Sequence, residues 1–190
     1  MDSLLLVTPT KKSADMLIGL LQDGGHHPHH IRIVSSGGEA RRALLEAEFD
    51  LVLINSPLPD EFGHEFASYV ASSNTTGVIM LVKNDLAESV AEQLEPEGVF
   101  ILAKPLSRPL FYQIIRITGA TRIHIMALQK ENQKLRQKLD DLHVINRAKC
   151  LLIQEQHLTE SEAHSYIEKN AMNHRKTRRD VAEIIIQSFE

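Results

Sequence analysis

Asp50-Leu-Val-Leu-Ile-Asn-Ser-Pro-Leu-Pro59 sets four consecutive apolar residues, Leu51–Ile54, directly ahead of Asn55 and a proline-containing loop. A strand with one wet face alternates apolar and polar side chains, whereas a strand covered on both faces is apolar throughout. Comparable short runs lie at Ser3–Val7, Ile31–Val34, Val78–Val82 and Val99–Ala103. Amphipathic stretches near Lys12–Leu21, Gly38–Ala47, Glu65–Ser72 and Leu86–Leu94 fall between them. Strand and helix alternating five times predict an α/β domain: a doubly wound, five-stranded parallel sheet with right-handed crossovers. Function in such a sheet sits at the carboxyl ends of the strands, so the residues after Val7, Ile54, Leu81 and Ala103 are the ones to inspect.

The chain has 190 residues, 43% of them hydrophobic and 24% charged, which suits one ordinary domain with a smaller one attached. No apolar run approaches the roughly 18 residues needed to cross a membrane. The N-terminus lacks the basic, apolar and small-residue sequence of a signal peptide, so no export is expected. The single cysteine, Cys150, forms no internal disulfide, which fits a reducing cytoplasm. The net charge of −4 conceals an asymmetry. Residues 1–115 carry 8 Lys+Arg against 15 Asp+Glu, and the remainder carries 13 against 10. An acidic first part and a mildly basic second part suggest two tasks on one chain.

The segment 50–59 with Gly63 following, and Lys104-Pro105 after the last strand, resemble the response-regulator receiver domain over residues 1–117, which implies a flavodoxin-like fold. A working receiver of that kind has an acidic pair after the first strand, an aspartate after the third and Thr or Ser after the fourth. This chain has Thr8 and Pro9, Asn55, and Val82 at those places. Only Lys104 remains. Mg²⁺ needs hard anionic oxygens, and an amide is no substitute for a carboxylate nucleophile. The expectation is a pseudo-receiver with no aspartyl phosphorylation, no metal site and no cofactor; Asp50 and Asp60, the nearest acids, fall at the wrong ends of the segment.

From Ser107, a plausible helix N-cap, helical signals run without a break. Ile125, Leu128, Asn132, Leu135, Leu139, Leu142 and Asn146 recur at spacings of 3 and 4, the a/d seam of a coiled coil. Asparagine at a positions costs stability but favours a parallel, in-register pair. A homodimer is expected, with residues 118–134 as the coiled-coil linker and the seam continuing to about 146. The competing reading packs this stripe against the chain's own domains.

The last segment reads as a small all-α domain of three helices. The first turns Ile145, Ala148, Leu152 and Ile153 inward, with Cys150 filling a gap in the core. Thr159 caps the second, with Glu162 completing a capping box. The third starts near Thr177 and buries Val181, Ile184 and Ile185. Ala148-Lys149, Leu158-Thr-Glu-Ser-Glu-Ala163, Tyr166, Ala171-Met172, Arg175 and Val181-Ala182 closely resemble the ANTAR domain over residues 135–190. Cys150 stands where that family commonly has glycine, and His157-Leu158 replaces a frequent glycine turn. The resemblance, to antiterminators of the AmiR/NasR type, implies a dimer that grips hairpin loops of a leader mRNA and prevents termination. It also implies control by a ligand-sensing negative-regulator protein, or by expression alone.

Lys169, Arg175, Lys176, Arg178 and Arg179 lie in a stretch without an acid, able to neutralise phosphates. Tyr166 is positioned to stack on an unpaired base or to pack with its hydroxyl wet, and Lys149 and Arg175 to meet base edges or phosphates. Ala171 and Met172 belong to the matched motif and read first as packing residues. The tract His26-His27-Pro28-His29-His30 has no cysteine or spaced acid beside it and reads as a polar loop. No phosphate-cradling or nucleophile motif is present, so an enzyme is not expected. Two other functions compete: a phosphorylation-independent DNA-binding regulator, and a protein-interaction scaffold whose tail only dimerises.

Overall fold

The computed structural model describes residues 2–73 and 76–189. Five strands and four helices alternate first: β1 (Ser3–Val7), α1 (Lys11–Asp23), β2 (His30–Val34), α2 (Gly37–Glu46), β3 (Leu51–Asn55), α3 (His64–Ser73), β4 (Gly77–Lys83), α4 (Asn84–Leu94) and β5 (Val99–Lys104). Three helices follow: α5 (Arg108–Gln156), α6 (Glu160–His174) and α7 (Arg178–Phe189). The chain divides into two compact units, Met1–Met126 and Ala127–Glu190.

In the first unit all strands pair in parallel, in the order β2-β1-β3-β4-β5. Successive side chains of a strand point to opposite faces, so the apolar runs serve two cores at once. Leu5, Val7, Val52, Ile54, Met80 and Val82 join one core. Leu4, Leu6, Leu51, Leu53, Ile79 and Leu81 join the other, with Leu17 and Leu21 of α1 and Phe111 and Ile115 of α5. The expected doubly wound sheet is therefore present, each strand within a residue of its sequence-based bounds. Thr10 and Ser36 cap α1 and α2 by accepting the N–H of Ser13 and Glu39, which fixes the turns at the carboxyl ends of β1 and β2.

Helix α5 has 49 residues. The N–H of Phe111 donates to the carbonyl of Ser107, 2.9 Å. Within the first unit, Arg122 reaches Asp50 at 2.6 Å. Asp50 also accepts the backbone N–H groups of Asp2 and Ser3. Burial works to raise the Asp50 pKa, but these donors and the Arg122 charge outweigh it and hold the carboxyl below its ordinary value. Every residue from Ile123 through Asp140 is exposed. That stretch includes Leu128 (65%), Leu135 (53%) and Leu139 (57%) of the apolar stripe.

The second unit has its own core of Ala148 and Leu152 from α5, Ala163, Ile167 and Ala171 from α6, and Val181, Ala182 and Ile185 from α7. Four alanines among these let the helices approach closely. Thr159 accepts the Glu162 N–H while the Glu162 carboxylate accepts the Thr159 N–H, the full capping box. Two expectations are corrected. Cys150 is exposed, because at 100° per residue it lies about 200° from both Ala148 and Leu152. Ile184 is 47% exposed, since α7 seats Val181, Ala182 and Ile185 inward and turns Ile184 to its flank. Helices α5 and α6 each close on a non-glycine residue in the left-handed region, His157 (φ 57°) and Arg175 (φ 51°).

Candidate functional site

At the carboxyl ends of β1, β3 and β5 the structure gathers the residues of the degenerate phosphoacceptor pocket. Asn55 donates its amide N–H to Thr8 Oγ1 at 2.9 Å. Thr8 is buried, and its own N–H donates to the Val34 carbonyl at 2.9 Å. Val82 is fully buried in a core and offers nothing to the site, while Pro9 is exposed. The Lys104 ammonium donates to the Ser56 carbonyl; burial, then the neighbouring Lys83 charge, lowers its pKa. Ser56 was not singled out from sequence. It is buried and donates its hydroxyl to the Phe62 carbonyl at 2.6 Å, pinning the loop after β3. Neither nearby acid serves this pocket. Asp60 accepts the N–H groups of Gly37 and Gly38, both at 2.9 Å, at the start of α2, and these bonds depress its pKa. Asp50 sits at the opposite end of β3, held by the backbone N–H groups of Asp2 and Ser3 and by Arg122.

In the second unit five of the eight residues expected to meet RNA line two grooves, and Ala171, Met172 and Arg175 line neither. The first, about 470 Å³, is lined by Lys138, Asn146, Lys149, His164, Arg178 and Arg179 together with Asp141. Three of its cations are already engaged. Arg179 pairs with Asp141 at 2.7 Å and Glu183 at 2.9 Å, Arg178 with Glu168 at 3.1 Å, and Lys149 with Glu160 at 3.2 Å. The hydrogen bond from Arg179, then that from Gln137, pulls the Asp141 pKa down. The second groove, about 210 Å³, is lined by Tyr166, Asn170, His174, Lys176 and Ile184 with Val181 and Ile185 beneath. Tyr166 is 42% exposed. Asn170 donates its side-chain N–H to the Tyr166 carbonyl at 2.9 Å.

Lys169, Arg175 and Lys176 are exposed and, among the described residues, form no side-chain ion pair. Arg175 caps α6, its N–H donating to the Met172 carbonyl at 3.3 Å. Ala171 is buried in the three-helix core and packs as its small size suggests, whereas Met172 is 72% exposed rather than packed. The sequence alone gave no sign that Arg178, Arg179 and Lys149 have acidic partners, because Asp141, Glu168 and Glu160 come from other parts of the chain.

A five-stranded parallel sheet with this strand order defines a receiver-like domain, and it carries a separate helical module. The signal receiver domain of an HD-domain-containing protein from Pseudomonas fluorescens Pf-5 superposes with a TM-score of 0.57 at 20% identity, covering 66% of this chain and 92% of that one. A response regulator receiver domain protein from Clostridium thermocellum gives 0.57 at 18% identity, over 66% of this chain and 99% of that one. The ANTAR domain matches residues 133–186. Transcriptional regulatory protein PdtaR of Mycobacterium tuberculosis (strain CDC 1551 / Oshkosh) is 28% identical over 160 residues, 83% of this chain and 78% of that protein. The chain thus has a receiver-like domain followed by a segment that matches the ANTAR domain. Among the described residues no helix is long and apolar enough to cross a membrane.

Proposed function

We propose that this protein is a cytoplasmic, dimeric, RNA-binding transcription antiterminator, a regulator rather than an enzyme. It grips hairpin loops of a leader mRNA through its ANTAR domain and prevents the terminator stem from forming. The observation that carries this reading is the ANTAR match over residues 133–186, on a helical unit with exposed, unpaired Lys169, Arg175 and Lys176 and a half-exposed Tyr166 that shares a groove with Lys176. Those cations neutralise phosphates, and the ring stacks on a loop base. Arg178, Arg179 and Lys149 contribute only where RNA phosphates displace their carboxylate partners.

The receiver-like unit works without aspartyl phosphorylation on this reading, since Thr8, Pro9 and Asn55 bring no charge for Mg²⁺. The exposed stripe of α5 closes a two-fold pair and sets two ANTAR domains against two hairpins. Control then comes from a ligand-sensing negative-regulator protein, or from the amount of protein made. The testing experiment titrates the full chain against a labelled tandem-hairpin leader RNA at two salt concentrations, with and without acetyl phosphate and Mg²⁺. Loop-dependent, salt-sensitive binding indifferent to the phosphodonor is expected. Binding that needs the phosphodonor refutes the pseudo-receiver, and absence of RNA binding leaves a dimeric interaction scaffold.

A further inference from the structure

The degenerate pocket opens into a cavity that the antitermination reading leaves without a task. It measures about 590 Å³ and lies between α1 and the connection from β5 to α5. Asn55, Leu81 and Lys104 line it, with walls from Met16, Leu20 and Leu106. Ligand pockets span roughly 300–1,000 Å³ and combine apolar walls with a few convergent polar groups. This cavity has that composition.

Its polar groups have spare capacity. An ammonium has three donors, and Lys104 makes one hydrogen bond, to the Ser56 carbonyl; no carboxylate among the described residues pairs with it. Asn55 spends its amide N–H on Thr8, while its side-chain oxygen has no donor among the described residues. A half-buried cation without a counter-charge is costly and gains from an incoming anion. The acids on the lining, Asp15 and Asp23, both stand exposed on α1, and Asp23 faces Arg108 at 3.6 Å. Arg108 also lines the cavity, so two cations stand against two exposed acids there, a balance that suits a singly charged anion better than a multiply charged one. Met16, 52% exposed, and Leu20 and Leu106 supply apolar surface for the remainder of a ligand.

We propose that this cavity binds a small organic monocarboxylate, its carboxylate on the Lys104 ammonium and its apolar body along Met16, Leu20 and Leu106. The site takes over the carboxyl ends of the strands from phosphoryl chemistry and makes the receiver-like unit a binding domain for a metabolite-sized anion. No bond is made or broken. A further hydrogen-bond donor on the ligand is accommodated by the free Asn55 side-chain oxygen.

The test is calorimetric titration of the full chain, without RNA, against benzoate, phenylacetate and octanoate. Their neutral amides, inorganic phosphate and acetyl phosphate serve as comparisons. At least one carboxylate binds with a dissociation constant at or below about 1 mM, and its amide binds at least tenfold more weakly. Lys104→Gln abolishes the difference between acid and amide. Gly19→Leu is the second variant: Gly19 lines the cavity, and a Cβ built there meets nothing within 4 Å. On an α-helix leucine is favoured over glycine, so this variant keeps the fold, keeps Lys104 and blocks the space. Loss of acid–amide discrimination in Lys104→Gln together with loss of binding in Gly19→Leu supports the site. No heat with any of the three carboxylates, equal affinity for acid and amide, preference for phosphate, or binding unchanged in Gly19→Leu each overturns it.

Discussion

Replacing Leu135 by alanine tests whether the α5 stripe is a dimer contact. Leu135 is 53% exposed in the single chain, and burying a whole leucine contributes about 1.5–3 kcal/mol. Covering the open half of this side chain is then worth about 1 kcal/mol in each protomer. A two-fold pair presents the residue twice, so its loss from both copies weakens association by about 2 kcal/mol, a rise of about 30-fold in the dimer dissociation constant. Alanine is the best helix former, so α5 itself is not weakened and the effect belongs to the contact. Sedimentation equilibrium of the full chain, wild type against Leu135→Ala, measures it. A wild-type chain that stays monomeric at about 100 μM, or a variant within about threefold of wild type, refutes the reasoning.

The remaining predictions follow from single contacts. Asp141→Asn releases Arg179 from its shorter ion pair, so leader-RNA affinity rises and the slope of log affinity against log salt steepens by about one, read by filter binding across a salt series; an unchanged slope places Arg179 away from the RNA. Asp50→Asn removes a carboxylate whose folded pKa is depressed. Its stabilisation is present above the unfolded pKa near about 3.9 and is lost as pH falls through the folded value. The variant is therefore less stable at neutral pH, by about 2 kcal/mol with Arg122 left unpaired, and its urea midpoint changes less than the wild type's below about pH 4. Asn55→Asp creates no phosphoacceptor, because Thr8 and Pro9 still offer Mg²⁺ no charge; radiolabelled acetyl phosphate leaves the variant unlabelled, and incorporated label would contradict the account of the pocket.

The sheet was legible because each central strand is covered on both sides, which writes burial into the sequence as an unbroken apolar run. The capping box at Thr159 was equally legible, being a signal confined to four residues. Cys150 and Ile184 were misplaced for a shared reason. Periodicity says that a helix has an apolar face, but a step of one residue rotates the side chain by about 100°, and only the packed partner decides which side faces in. The basic stretch 169–179 carried its charge in plain view and hid its neutralisation, since Arg179 meets Asp141 38 residues away. The cavity beside Lys104 was invisible for a related reason: its walls come from α1 and the connection between β5 and α5, segments far apart in the chain.

His157 and Arg175 hold left-handed backbone at the ends of α5 and α6, where glycine would sit without steric cost. An L-residue with a side chain pays about 1 kcal/mol for that conformation. The ANTAR unit is therefore kept below the stability its own backbone permits, at two places where a one-residue change would raise it. At Arg175 the relief would remove an exposed cation that forms no ion pair among the described residues. The helix end there sets firmness of the fold against retention of an exposed charge, so variants selected for heat resistance alone would drift toward glycine and lose that charge.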